Sequence, residues 1–203
     1  MGFQHLFDNA QTLKITKRPV VAQTTTRSGV VRSVSRGNAV WRFEVAMPEG
    51  VKWQDFRYDL ATIDKLDRFT SEAIDFSNTG FAWMFPYQGD EPNIANVRLN
   101  VLTAGDRLGI ATGVTITSGY IFKAGDIIEL VGGRAYEVAA DTAWDATEVV
   151  IHRPWVDETI GTYDIRVGPN ARHTVVCVSM PNWYFIDQNQ ISWDGVYVFQ
   201  EVI

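Results

Sequence analysis

A chain of 203 residues with 46% hydrophobic and 21% charged residues can bury one large β core or two small ones, and its composition is not that of a disordered segment. A net charge of −6 argues against a general nucleic-acid binder, which needs clustered Lys and Arg to meet phosphates. The lone Cys177 excludes an intramolecular disulfide framework and a cysteine zinc cluster, while seven Trp lean toward β architecture or aromatic-rich interfaces.

Met1–Asp8 shows no basic leader with a long apolar run, and no stretch approaches the length needed to span a bilayer. The expectation is a soluble protein made in a cytoplasm. The first forty residues carry +5 and the remainder −11. Two readings of that basic end stand side by side: a solvated edge on which Arg discourages unwanted strand pairing, or an end that docks on an acidic surface of a partner or neighbouring copy.

Val30–Ser35 alternates Val with Arg and Ser, Arg36-Gly-Asn38 marks a turn, and Trp41, Phe43, Val45 and Met47 then share one face opposite Arg42 and Glu44. A period of two with polar residues between apolar ones predicts two strands paired as a hairpin. After Pro48-Glu-Gly50 the period changes: Trp53, Phe56, Leu60, Ile63 and Leu66 predict one helix of about four turns, lying as a lid across an open β face. The aromatic cluster Phe76–Tyr87, with Phe81, Trp83 and Phe85, is read as a core strand, a ligand-stacking platform being the alternative.

Two breaker clusters, Gly89-Asp-Glu-Pro92 and Gly168-Pro-Asn170, bracket a middle section of short strands. Within it, Gly119–Val138 predicts three strands joined by tight turns at Lys123–Asp126 and Gly132-Gly133. Leu102–Asp106 and Phe122–Asp126 share Ala-Gly-Asp, an echo that common turn chemistry explains. From residue 171 strong strands resume: His173–Met180, which places Cys177 in the core, then Trp183–Ile186, then Ile191–Val202 with Asp194-Gly195 as a hairpin turn. The first section lacks strands to complete a sheet and the last lacks partners, so the two should pair with each other and the middle should be looped out as an insertion.

The residues offer little catalytic chemistry. His5, His152 and His173 lack metal-ligand spacing, and no nucleophile elbow, phosphate-binding loop or dinucleotide fingerprint is present. Asp141, Asp145, Asp157 and Glu158 could flank a sugar as the paired acids of a glycosidase do, but solvated acidic loops are the ordinary reading. The expectation is a non-enzymatic protein with no cofactor and no metal.

Phe122-Lys-Ala-Gly-Asp126, then Gly132-Gly-Arg-Ala-Tyr-Glu-Val138, then the strand ending in Val150-Ile-His-Arg-Pro154 resemble a pattern in tail proteins of long-tailed phages. With the Trp41–Val45 strand before a helix, the chain length and the split first domain, the chain is similar to the distal tail proteins of flexible-tailed siphophages that infect Gram-negative bacteria. The resemblance implies a mainly β fold with one helix. Residues 1–89 and 170–203 would form a discontinuous, ring-forming β-sandwich or barrel-like domain, and residues 90–169 an inserted, small OB-like β-barrel. It implies a hexameric ring at the distal end of the tail tube, contacting the tube protein and the tail-tip or baseplate hub proteins, and leaving a channel for DNA. The protein would then reside in the virion tail, bind no membrane and bind no nucleic acid specifically. Arg27, Arg32 and Arg36 are the expected subunit or tube contact. The alternative is a carbohydrate-binding module in which Trp144, Trp155 and Tyr163 stack on sugars.

Overall fold

The structure, a computed structural model, describes the backbone of every residue except 1, 26, 30, 66–69, 133, 157–158 and 203, and the side chains of these residues except those of 18–23 and 31–38. Leu66 and Arg68 of the expected helix, Gly133, the Asp157–Glu158 pair and the side chains of Arg32 and Arg36 therefore lie outside the described residues.

The fold is mainly β, with several sheets, one of them curled into a half-barrel. A short helix absent from the sequence expectation, α1 (Phe3–Asp8), comes first. Its Phe3, Leu6 and Phe7 stand at helical spacing and all three are buried. β1 (Thr12–Thr25) then pairs antiparallel with β2 (Val31–Ala46) in one long ribbon. This corrects the first predicted hairpin. Arg36-Gly-Asn38 does not turn the chain but lies within β2, and the true partner is β1. The register slips there, Pro19 opposing Ala39 while Val21 opposes Ser35, so β2 holds two extra residues. Proline has no amide N–H to give the ladder, and a bulge absorbs the mismatch.

β3 (Val51–Lys52) leads into α2 (Trp53–Lys65), the helix that the period of Phe56, Leu60 and Ile63 predicts; these three are its buried apolar residues. β4 (Glu72–Ile74) follows. The expected strand over Phe76–Tyr87 does not form. Phe76 is buried, but the chain then enters a 3₁₀ turn at Ala82–Met84 that leaves Trp83 exposed. Aromatic content suits strands, yet this run lacks the alternation that fixes one.

The middle section holds β5 (Arg98–Val101), β6 (Leu108–Thr112), β7 (Tyr120–Phe122), β8 (Ile127–Leu130), β9 (Ala135–Glu137), β10 (Thr142–Ala143), β11 (Glu148–Val150) and β12 (Gly161–Val167). The three strands expected across Gly119–Val138 are β7, β8 and β9. Six of the eight make one antiparallel sheet, in the order β11-β6-β5-β12-β8-β9, and β7 pairs with β10. The two outer strands meet just past their ends, where Val138 bridges Ile151 and the Ala139 amide donates to Val150 O at 2.7 Å. The sheet therefore curls round its own core of Leu99, Val101, Ile128, Leu130, Tyr136 and Val149.

β13 (His173–Ser179), β14 (Asn182–Asp187), β15 (Gln190–Asp194) and β16 (Tyr197–Glu201) complete the chain. β16 and β13 join the N-terminal strands in a five-stranded sheet, β1-β2-β16-β13-β4, while β14-β15-β3 form a separate three-stranded sheet. Asp194-Gly195 is thus not a hairpin turn; it carries the chain from one sheet to the other. The hairpin is β14–β15, turned at Gln188-Asn189, where Asn189 takes φ 75°. Asparagine tolerates that left-handed conformation better than most residues. Between the sheets, Phe3, Phe7, Phe43, Phe76 and Phe199 interlock with ring centroids 5.0–5.9 Å apart, and α2 adds Phe56, Leu60 and Ile63 to the same core.

The linkers into and out of the middle section run side by side. Gly168 adopts φ +66°, and a Cβ there would stand 2.7 Å from Phe85 O, so the backbone approach requires glycine. Phe76 N, just before the inbound linker, donates to Pro169 O at 3.0 Å, just after the outbound one.

Candidate functional site

The densest polar chemistry lies where the middle section meets the end sheet. Arg153 projects from the loop after β11 into the apolar interior, and both its terminal nitrogens are engaged. Nη1 donates to Glu201 Oε2 at 2.7 Å and to Ala39 O at 2.7 Å; Nη2 donates to Glu201 Oε1 at 2.6 Å and to Ala135 O at 3.0 Å. The fork geometry of guanidinium and carboxylate makes this a bidentate pair, and both side chains are all but fully buried. Arg153 also lies over the Tyr136 ring, 5.1 Å from its centroid.

Around this pair stand Trp41, His152 and His173. The Trp41 centroid is 5.9 Å from that of His152 and 5.4 Å from that of His173. The Glu137 amide donates to His152 Nδ1 at 2.9 Å, which fixes the neutral tautomer with its proton on Nε2. Burial pushes His152 down to about 3, helped by the positive charges of Lys17 and Arg153; burial and Arg153 do the same to His173. These are neutral packing histidines, as the setting of Ile151-His-Arg-Pro-Trp155 suggests for His152. Lys17 of β1 pairs with Glu137 of β9, a second ionic tie across the same junction. The arrangement holds two bodies together. It presents no nucleophile, and among the described residues no three His, Cys, Asp or Glu gather as a metal site.

A second polar knot lies at the rim of the middle section. Glu91 is buried, and its carboxylate accepts from Asn93 N, Thr115 N, Thr115 Oγ1 and Ile116 N at 2.6–3.1 Å. Burial works to raise its pKa, but the bonds from Thr115, Asn93 and Ile116 outweigh it and bring the group down to about 2. Asp126, at the Ala-Gly-Asp turn, accepts from Gln88 N and Lys123 N at 2.9 Å, so carboxylates stitch the chain on both sides of the first breaker cluster. Of the imagined acid pairs, Asp141 is occupied by the Ala124 amide at 2.8 Å.

The residues expected to stack on sugars are not brought together. Trp155 is buried, its Nε1 donates to Leu108 O at 2.8 Å and its ring packs on Tyr136, so no face is open to a ligand. The hydroxyl of Tyr163 donates to Thr159 O at 2.8 Å. Trp144 is exposed, following β10. Arg27 lies exposed at the tip of the β1–β2 ribbon, and Arg32 and Arg36 lie on β2. Past Arg42 toward its start, β2 pairs among the described residues only with β1, so the ribbon from Pro19 and Ala39 to its tip runs about 20 Å as two strands.

One surface was missed by sequence reasoning. All six residues of β14 are exposed, including Trp183, Tyr184, Phe185 and Ile186. Trp183 stacks on Trp53 at 4.9 Å, and Phe185 meets the same ring edge-on at 5.5 Å. The run Asn182-Trp-Tyr-Phe-Ile-Asp187 holds four apolar residues in succession, a pattern that fits a fully buried strand, and only the topology shows it at an edge.

No protein-family model matches the chain, and no curated protein matches it in sequence. No helix among the described residues is long and apolar enough to cross a membrane.

Proposed function

We propose that the protein is a structural component of a long, flexible phage tail, forming a hexameric ring at the distal end of the tail tube. In this reading the five-stranded sheet and its helices are the ring-building β-sandwich-like domain, and the curled six-stranded sheet is an inserted OB-like barrel carried on its surface. The ring joins the tube to the tip or baseplate hub proteins and leaves a channel for DNA.

The observation that carries the proposal is the β1–β2 ribbon. A two-stranded ribbon is marginally stable alone, and one whose outer edges pair with no other described strand is open to completion by a partner. Arg27 at its tip and the +5 charge of the first forty residues suit an acidic face of a neighbouring subunit or of the tube. Heterologous contacts of that kind close by rotation into a ring. The neighbouring β13, β16 and β4 anchor the ribbon root in the core, and the Arg153–Glu201 pair holds the outer domain in a fixed pose.

Two experiments test this. Gold-labelled antibody raised against the protein should mark the distal end of tails in electron micrographs; labelling elsewhere on the particle, or none, rejects the reading. Reversing the charge of Arg27, Arg32 and Arg36 together should leave the isolated protein folded and stop its incorporation into tails. Unchanged assembly removes the ribbon from the contact. The carbohydrate-binding alternative rests on Trp144 as an exposed ring, and a glycan array comparing the protein with Trp144→Ala decides it.

A further inference from the structure

We infer that β14 is a self-association edge: two copies of the chain pair antiparallel through Asn182–Asp187, about a two-fold axis at Tyr184. Among the described residues β14 has one ladder neighbour, β15, and no strand pairs with its other edge. Edge strands of soluble proteins are protected by charges, prolines or covering segments. Here Trp183, Tyr184, Phe185 and Ile186 stand 40%, 49%, 56% and 49% exposed, with no charge among them. The N–H and C=O groups of the open edge offer a second strand the same bonds that β15 makes.

The occupant follows from the pattern of side chains. An antiparallel pair with a two-fold axis normal to the sheet keeps each face on its own side, so the axis must pass through a residue and not between two. Centred on Tyr184, it sets Trp183 opposite Phe185 of the second copy, and Phe185 opposite that copy's Trp183. Such cross-strand aromatic pairs are among the most favourable in sheets. The two Tyr184 rings meet at the axis on the opposite face. The strand's single charge, Asp187, falls at the far end opposite Pro181, so no like charges face each other. A basic or acidic partner would find no matching charge along 182–186, whereas a second copy sets an aromatic ring against an aromatic ring at 183, 184 and 185. The bulge between Phe185 and Asp187 ends the regular edge, which limits pairing to this short segment.

Trp53 extends the contact. It stacks on Trp183 of its own chain, so each copy brings a ledge of Trp53, Trp183 and Phe185 to the same face of the joined sheet. The four apolar side chains of β14 offer on the order of 400 Å² per copy, from typical aromatic areas. About 800 Å² for the pair is an upper bound and lies below the size of permanent complexes, so the pairing is a weak and reversible one. The contact is isologous and therefore separate from the heterologous contacts of a ring. It belongs to the free protein or to two rings apposed face to face, and its test does not depend on the tail reading.

Sedimentation of the full chain over a concentration series should show the 22.8 kDa monomer giving way to a species of twice that mass. Tyr184→Lys places two cations at the axis and should leave monomer throughout, with an unchanged circular dichroism spectrum. The buried Cys177 is the chain's only thiol, which allows a registry test. Tyr184→Cys should cross-link two chains on mild oxidation, since facing Cα atoms about 5 Å apart fit a disulfide. Asn182→Cys, set about 13 Å from its symmetry mate by strand rise, should not. Monomer alone at 100-fold above micromolar concentration, a dimer that survives Tyr184→Lys, or cross-linking of Asn182→Cys in place of Tyr184→Cys would each overturn the proposal.

Discussion

Trp41 and Trp183 stand at opposite poles of this protein. Both lie on strands that the sequence predicts, and both have aromatic neighbours. Trp41 is enclosed by two neutral histidines and an ion pair whose carboxylate is fully buried. Trp183 stands on an open edge with three apolar neighbours in solvent. At the first, a guanidinium and a carboxylate have been taken out of water and paired inside the chain. Trp41 Nε1, His152 Nε2, Arg153 Nε and His173 Nδ1 are buried there with no hydrogen-bond partner among the described residues. At the second, four apolar side chains stand about half exposed, two of them packed on Trp53. The contrast separates a junction that encloses its charged and aromatic side chains from a strand that leaves its aromatic side chains half exposed.

The most severe way to break the junction is to remove one half of its ion pair. Glu201→Ala leaves the Arg153 guanidinium buried without its carboxylate, and should cost about 3–5 kcal/mol. For a chain of this size that lowers the melting temperature by about 10 °C in a calorimetric scan. Replacing both partners, Arg153→Met with Glu201→Leu, should recover most of the loss, because the expense lies in the orphaned charge and not in the absence of the pair.

Acid probes the same place. Unfolded histidine takes up a proton near 6.5, whereas His152 and His173 in the folded chain resist until about 3. Between those values the unfolded state binds more protons, so stability is full above about pH 6.5 and falls as pH drops toward 3. The combined slope approaches about 2.7 kcal/mol per pH unit. Urea unfolding at pH 7.0, 6.0 and 5.0 reads this before most carboxylates protonate. His152→Gln should roughly halve the slope; an unaltered slope would place the acid sensitivity elsewhere.

Glu91 tests whether the carboxylate stitching of the middle section matters to it. Glu91→Gln replaces one accepting oxygen by an NH₂ that faces donors, and should cost about 1–3 kcal/mol. Loss of amide protection from hydrogen exchange should centre on Asn93, Thr115 and Ile116. At the other pole the effect on stability should be smallest. Tyr184→Ser removes a half-exposed ring that takes no part in the Trp53 stack, and should shift the melting temperature of dilute protein by no more than a few degrees while abolishing self-association.

The legible parts of the chain share one feature. Phe56, Leu60 and Ile63 of α2, the strand Trp41–Met47, and the three strands across Gly119–Val138 each carry their periodicity or turn residues within a dozen positions. Arg36-Gly-Asn38 misled because its turn residues are equally at home in a bulge, and Pro19, which forces that bulge, lies on the other strand. Asp194-Gly195 misled for a related reason: a tight bend does not say whether the next strand returns to the same sheet. For the candidate surfaces, the aromatic residues were visible but not their exposure. Trp155 and Trp183 look alike in sequence, and the first is core while the second is edge.

The sequence by itself determined the β class, the helix α2, the buried Cys177 and the breakers that bracket the middle section, because each depends on interactions between residues near in the chain. Tertiary structure alone decided that Arg153 meets Glu201, that Gly168 must lie against Phe85, and that β14 ends a sheet. Those facts join residues 48, 83 and more positions apart, and burial or edge exposure belongs to the neighbours a segment acquires in space, which no local pattern contains.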